Sequence, residues 1–274
     1  MTMSRRTPPD ADQARPVPAR IYAYLLTGAD SFQVERDAAE RIMAVVPELR
    51  EGVWAHLGFH QRAAKWIAEQ GVRQFIDIGS VPAVRNTHKV VQRVDPACRV
   101  VYVDNDPMLA ARPEDLQADP ARVRVIQGGL RDPEGILVHP DVHTLLDLDQ
   151  PTGLLMMRVA HFVPDESDPW GRVSHLAAAL RPGSYVALSH LTSDHLPPRL
   201  VDVVCHVYEQ ATEQVHFRSK ADIERFFSGM ELVPPTEGEP VGRLCHTGEW
   251  GAEDPVVADS DGSRWLYCGV ARRP

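Results

Sequence analysis

Two carboxylates and a glycine mark the chemistry of this chain. Asp77 lies in the apolar run Gln74-Phe75-Ile76-Asp77-Ile78-Gly79, and Asp104 closes a second run, Val100-Val101-Tyr102-Val103-Asp104, one short helical interval later. Gly79 can adopt positive φ, so a ligand can approach the backbone there. A carboxylate at the end of the next strand can take both hydroxyls of a ribose. Such a group is costly to bury unless it is paired or hydrogen-bonded. The layout suits a nucleotide-like ligand, with Asn105 and Asp106 beside its adenine edge. The same residues also read as a plain βα turn and as a helix cap, and capping by Asp106 is compatible with binding by Asp104. One departure stands out. Ser80-Val81 follows Gly79, and Val81 occupies the place where such loops usually carry a second glycine.

A third apolar run ends Ile126-Gln127-Gly128-Gly129-Leu130-Arg131-Asp132-Pro133. An adenosine site often places an Asp at this point to accept from the adenine amino group. Gly129 cannot do so, and Asp132 reads as a turn residue before Pro133. A fourth run leads into Ala160-His161-Phe162-Val163-Pro164-Asp165, and a fifth ends at Ser189-His190. An imidazole titrates near neutrality, so His161 and His190 are candidate general bases. Each also reads as a histidine that holds its own loop. Tyr22, Trp54, Phe162 and Trp170 are candidates for an aromatic pocket, and equally for core.

The elements that must position these residues follow from periodicity. Helical spacing of apolar residues predicts helices over Arg20–Leu26, Ser31–Val46 and Leu49–Glu69, with Gly28 as a break and Asp30 or Ser31 as a cap. From Gln74 onward, strand alternates with helix. Predicted strands are Phe75–Ile78, Val100–Val103, Val123–Gln127, Leu154–Val159 and Tyr185–His190, with a late antiparallel pair near Met230–Val233 and Trp265–Val270. Predicted helices lie at Asn86–Val94, Asp168–Leu180, Pro197–Gln210 and Lys220–Phe227. Continuous apolar strands alternating with helices indicate a parallel sheet covered on both faces, whose ligands sit at the strand carboxyl ends. The chain divides into a Pro-rich flexible arm (1–18), a helical segment (19–71) and an α/β domain (72–274).

Composition narrows the function classes. The 274 residues are 43% hydrophobic and 24% charged, ordinary for a soluble globular protein. The net charge of −9 argues against a sequence-independent nucleic-acid binder. Apolar runs fall short of the roughly 20 residues that span a bilayer, and the N-terminus has no apolar core of a secretory signal. The four cysteines form no CxxC pair and no structural-zinc spacing, so they read as scattered thiols of a cytoplasmic protein without a metal site.

These phrases resemble the actinobacterial S-adenosylmethionine-dependent methyltransferase family once listed as DUF574. The resemblance is carried by the N-terminal segment Ala19-Arg20-Ile21-Tyr22-Ala23-Tyr24-Leu25-Leu26-Thr27-Gly28-Ala29-Asp30-Ser31-Phe32, by Phe75–Gly79, Val101–Pro107, His161–Asp165 and Pro182–Tyr185, and by Ser189-His190. It covers nearly the whole chain. It implies a Rossmann-like class I methyltransferase fold: a mostly parallel seven-stranded sheet, an antiparallel C-terminal hairpin and a helical N-terminal lid. It implies S-adenosylmethionine as cofactor. On that likeness Asp77, Gly79 and Ser80 lie along its methionine side, Asp104 binds the ribose, and Asn105 and Gly129 lie by the adenine. His161 sits beside the methyl group or the substrate. Tyr22, Tyr24, Phe32 and Phe162 enclose the substrate pocket.

The departures cluster on the cofactor side. The family loop usually reads DIGTGLPT followed by a glycine and an asparagine, whereas Ser80-Val81-Pro82-Ala83-Val84-Arg85-Asn86 lacks the second glycine and is one residue shorter. Ala23, Thr27 and Ala29 replace Asp, Gly and Lys, and Gly129 replaces an Asp. Lost polar contacts cost about 0.5–1.5 kcal/mol each, so several together weaken a cofactor site by orders of magnitude. The favoured function is methyl transfer to a small-molecule O or N nucleophile in secondary metabolism. The alternatives are a methyltransferase fold that has lost methyl transfer and catalyses a cyclisation or rearrangement, and a protein that only binds a ligand or partner. The sequence specifies neither the substrate nor the oligomeric state.

Overall fold

A computed structural model of the protein describes residues 14–28, 31–79, 86–107 and 118–274. The apolar runs become five parallel strands, β1 (Gln74–Ile78), β2 (Arg99–Asp104), β3 (Val123–Gln127), β4 (Gly153–Met157) and β5 (Tyr185–Leu191), ordered β3-β2-β1-β4-β5. β1 and β4 are buried at every position, as central strands covered on both faces must be. Two short strands follow, β6 (Glu231–Leu232) and β7 (Cys245–His246), and then β8 (Leu266–Arg272), antiparallel to β5. β6 and β7 both pair with the far side of β8, β6 at Ala271–Arg272 and β7 at Tyr267–Cys268. The seventh strand position is thus filled by two pieces.

Alternate residues of each strand feed opposite cores. Ile76, Ile78, Val101, Val103, Leu154 and Met156 face α5 (Pro133–Leu137), α6 (Pro140–Leu145) and α7 (Pro169–Ala179). Phe75, Val100, Tyr102, Leu155 and Met157 face α3 (Leu49–Glu69) and α4 (Thr87–Val94). A third core joins α1 (Pro18–Thr27), α2 (Gln33–Met43) and the first half of α3 to α8 (Pro198–Glu209), Leu191 and Leu266. Leu191 ends β5 and Leu266 begins the antiparallel β8, so the N-terminal helices sit on the carboxyl rim of the sheet. α1 starts on Pro18 and stops at Gly28, whose φ of 70° lets its N–H reach the Tyr24 carbonyl at 2.8 Å. Two short helices, α9 (Lys220–Glu224) and α10 (Pro255–Ala258), complete the described α-helices.

Several boundaries differ from the sequence expectation for identifiable reasons. β4 stops at Met157 because Arg158 has a φ of 61° and turns the chain. α2 begins at Gln33. Its start is served by Glu35, whose Oε2 accepts the Phe32 N–H at 2.7 Å, rather than by Ser31; Asp30 lies outside the described residues. Among the described residues no helix is long and apolar enough to cross a membrane.

Candidate active site

The carboxyl ends of β1 to β4 open onto a cavity of about 320 Å³, within the ~300–1,000 Å³ range of small-molecule sites. Its floor is Ile78 and Gly79 at the end of β1, Asn105 after β2, residues 127–132 at the end of β3, and Arg158, Val159, Phe162 and Val163 after β4. Its roof comes from distant parts of the chain. Val17, Pro18, Ala19 and Tyr22 open α1, and Thr212 and Glu213 follow α8. The two roof segments are joined, since the Thr212 N–H donates to the Pro16 carbonyl at 2.9 Å.

Gly79 is required by its surroundings. Its φ is 69°, its N–H donates to the Val103 carbonyl at 2.8 Å, and a Cβ there would stand 1.8 Å from Val159 Cγ1. The turns after β1 and β4 therefore touch backbone to side chain with no room for a methyl. Ser80 and Val81 lie outside the described residues. Gly129 also borders the cavity, but a Cβ there would meet only Asn105 Cβ at 3.7 Å, an ordinary contact. Asp132 caps α5 by accepting the Gly135 N–H at 2.9 Å, so it opens a helix rather than a plain turn.

The two strand carboxylates do not form the cavity wall. Asp77 is fully buried, and its Oδ2 accepts from Thr87 Oγ1 at 2.6 Å and lies 3.2 Å from His60 Nε2. It braces β1 against α3 and α4. Asp104 is 2% exposed, and its Oδ1 accepts the Asp106 N–H at 2.8 Å. Asp106 is not among the residues that line the cavity. It takes Arg20 in a two-point pair at 2.7 and 2.8 Å. Asn105 does face the cavity, and its Nδ2 donates to the Glu213 carboxylate. Burial raises the Glu213 pKa, opposed by Arg131 and by the Asn105 bond.

Neither candidate base lines the cavity. His161 sits in a 3-10 turn, buried against Phe162 and His190 with ring centroids 4.4 and 5.4 Å away. Its Nδ1 accepts the Leu191 N–H at 3.4 Å, and its Nε2 has no hydrogen-bond partner. Burial, then the His190 and Arg158 charges, hold its pKa well below the ordinary value. His190 Nδ1 donates to the Leu191 carbonyl at 2.6 Å, and its Nε2 accepts from Arg218 Nη1 at 2.7 Å. A guanidinium can only donate, so this tautomer is fixed and both nitrogens are engaged. Burial and the Arg218 charge bring the His190 pKa down to about 3. Arg218 also reaches the Val163 carbonyl at 2.7 Å and Asp165 at 2.6 Å, so His190 orients the arginine that pins the loop after β4.

Of the expected aromatic residues, Tyr22 and Phe162 line the cavity. Tyr24 turns its hydroxyl to Glu40 at 3.5 Å, and Phe32 lies under Arg20 at 5.3 Å. Sequence reasoning missed Arg158 and Glu213. Arg158 follows an apolar strand directly, and its guanidinium carbon lies 4.6 Å over the Tyr22 ring while its buried Nε has no partner. The cavity thus carries a cation with spare donor capacity by β4 and a carboxylate by β2. Away from it, His246, Glu249 and Asp259 lie close enough to hold a cation, but Arg243 and Arg264 already face the two carboxylates. The cluster is an ion-pair network.

The sequence matches the S-adenosyl methyltransferase family over residues 4–274. The fold is similar to that of a candidate methyltransferase from Thermobifida fusca YX, at 33% identity and a TM-score of 0.88, covering 98% of this chain and 99% of that one. It is similar also to a DUF574 family protein from Streptomyces avermitilis MA-4680, at 33% identity and a TM-score of 0.84, covering 95% and 98%. No curated protein matches the chain.

Proposed function

The chain belongs to the S-adenosyl methyltransferase family, and from that premise we propose that it methylates an oxygen or nitrogen of a small molecule in secondary metabolism. The cofactor of the family is S-adenosylmethionine. The observation that carries the proposal is the pairing of the unpartnered Arg158 Nε with the Glu213 carboxyl across one roofed cavity. An adenosyl amino acid offers hydroxyls and a purine edge at one end and a carboxylate at the other. The donor set fits both ends.

In this reading Asn105, Gly129 and Glu213 hold the adenosine part, and Gly79 and Arg158 hold the amino-acid part. Asp77 and Asp104 support the site from behind, by fixing the ends of β1 and β2. When bound, the cofactor supplies an electrophilic methyl group on a sulfonium. The protein contributes position: reacting atoms about 3–3.5 Å apart and aligned remove much of the entropic barrier. Tyr22, Phe162 and the α1 roof exclude water from that end. Residues 19–71 act as the lid and 72–274 as the catalytic unit. The four free cysteines suit a reducing compartment, and the acidic net charge suits a small acceptor better than a nucleic acid.

Calorimetry with S-adenosylhomocysteine tests the reading. Binding near micromolar is expected, and silence at millimolar ligand refutes it.

A further inference from the structure

Tyr22, His56 and Ser189 form a hydrogen-bonded chain within an apolar core. Tyr22 Oη lies 2.8 Å from His56 Nδ1, and His56 Nε2 lies 2.8 Å from Ser189 Oγ. Tyr22 is 2% exposed, and His56 and Ser189 are fully buried. Ser189 Oγ accepts the Arg158 N–H at 3.1 Å and directs its own proton toward Met157 Sδ at 3.9 Å. With that proton committed, His56 carries its hydrogen on Nε2 and donates it to Ser189. Nδ1 is left as an acceptor, and the Tyr22 phenol donates to it.

The chain stands in a partition between two spaces. Tyr22 lines the main cavity. His56 lines a second cavity of about 40 Å³ behind it, walled by Leu191, Val204, Tyr208 and Trp265. Arg158 belongs to both walls and lies over the Tyr22 ring. A buried polar chain is costly unless every member is satisfied. Here each link is made, and Tyr22 at one end is a lining residue of the cavity, as His161 and His190 are not.

We propose that the methyl acceptor is a hydroxyl compound and that Tyr22 is its proton acceptor, with His56 and Ser189 as positioning residues behind it. This rests on the methyl-transfer reading above. The acceptor oxygen forms its bond to the methyl carbon as the carbon–sulfur bond breaks, with the electron pair staying on sulfur. The acceptor proton passes to Tyr22 Oη while the phenol proton passes to His56 Nδ1. The resulting imidazolium keeps its Nε2–H on Ser189. An amine acceptor has a neutral lone pair and needs no such relay before transfer.

The test uses the full chain labelled with 15N-histidine, S-adenosylmethionine as donor, and catechol and benzylamine as hydroxyl and amine probes. Before any ligand is added, His56 should appear as the Nε2–H tautomer, and Y22F should shift its Nδ1 resonance. Y22F and H56Q should lower kcat for catechol by about 100-fold, with KM and the S-adenosylhomocysteine Kd within about threefold of wild type. S189A should cost less, about tenfold, because it removes only the outer link. An Nδ1–H tautomer, an unmoved resonance in Y22F, full catechol turnover in Y22F, or methylation of benzylamine alone overturns the relay, as does wild type that binds S-adenosylhomocysteine and turns over neither probe. Absence of S-adenosylhomocysteine binding in wild type overturns the methyl-transfer reading instead, while the imidazole spectra still decide the hydrogen-bond assignment.

Discussion

Arg20 and Asp106 stand 86 residues apart in sequence and meet as a two-point ion pair with both side chains almost fully buried. Glu35 completes the group, 3.7 Å from Arg20 Nη1. Its carboxylate also accepts the backbone N–H of Val17 at 3.2 Å and of Phe32 at 2.7 Å. One carboxylate therefore joins the starts of α1 and α2, and one arginine ties both to the end of β2. The roof of the cavity is held in register with its floor by this group.

Replacing Arg20 by Met removes the buried cation that Asp106 and Glu35 share. Removing one partner of a buried pair costs about 3–5 kcal/mol. R20M should lose that much in urea unfolding and bind S-adenosylhomocysteine more weakly. The combined change R20M/D106L/E35Q, which removes the two facing carboxylate charges as well, should recover part of the stability.

Gly79 and Val159 form a second testable couple. G79A places a methyl inside the Val159 side chain and a Cβ at positive φ, for a loss of about 3 kcal/mol. V159A creates space for that methyl. A double-mutant cycle should show a favourable coupling of about 1 kcal/mol or more, leaving the backbone penalty in place.

The pH dependence of stability should carry the mark of His190. Its folded pKa, about 3, lies below the ordinary 6.5, so the fold favours the neutral ring. As pH falls from 6.5 towards 3, the unfolded chain takes a proton that folded His190 refuses, and stability declines. His161 acts in the same direction. H190Q should flatten this limb by up to one proton, about 1.4 kcal/mol per pH unit. Unfolding free energies at a series of pH values measure the slope.

Glu213 should show a conflict between stability and binding. Burial raises its pKa, so ionisation is unfavourable in the fold above the ordinary carboxyl range. E213Q removes the charge and should raise Tm at pH 7, at about 2–4 °C per kcal/mol gained. It should weaken S-adenosylhomocysteine binding by about tenfold, from the loss of a charged acceptor. Thermal melts and calorimetry on one variant give both readings.

The fold was legible where one local rule decided the outcome. β1, β2, β3 and β5 follow from continuous apolar runs. The expected fourth strand runs two residues past the end of β4, since hydrophobicity does not report the sign of φ at Arg158. α5 and α6 have no counterpart among the predicted helices: Asp132-Pro133 reads as a turn, whereas proline also opens helices, as Pro133 and Pro140 do. In the site, Gly79, Asn105, Gly129, Tyr22 and Phe162 were expected and do face the cavity. His161 and His190 lie near the expected rim but behind its wall, because Arg218 from a distant loop holds them there. Glu213, Arg158 and His56 had no local signature. Their roles depend on contacts made across the chain, to Asn105, Tyr22 and Ser189.

The divided seventh strand position also shapes how the molecule meets its neighbours. A long straight outer strand would present a row of free amides and carbonyls on which another chain could zip. Here that border is two short pieces, Glu231–Leu232 and Cys245–His246, with residues 233–244 looping out between them. A second copy approaching this side finds no continuous ladder to extend, so the border is guarded against strand-by-strand stacking.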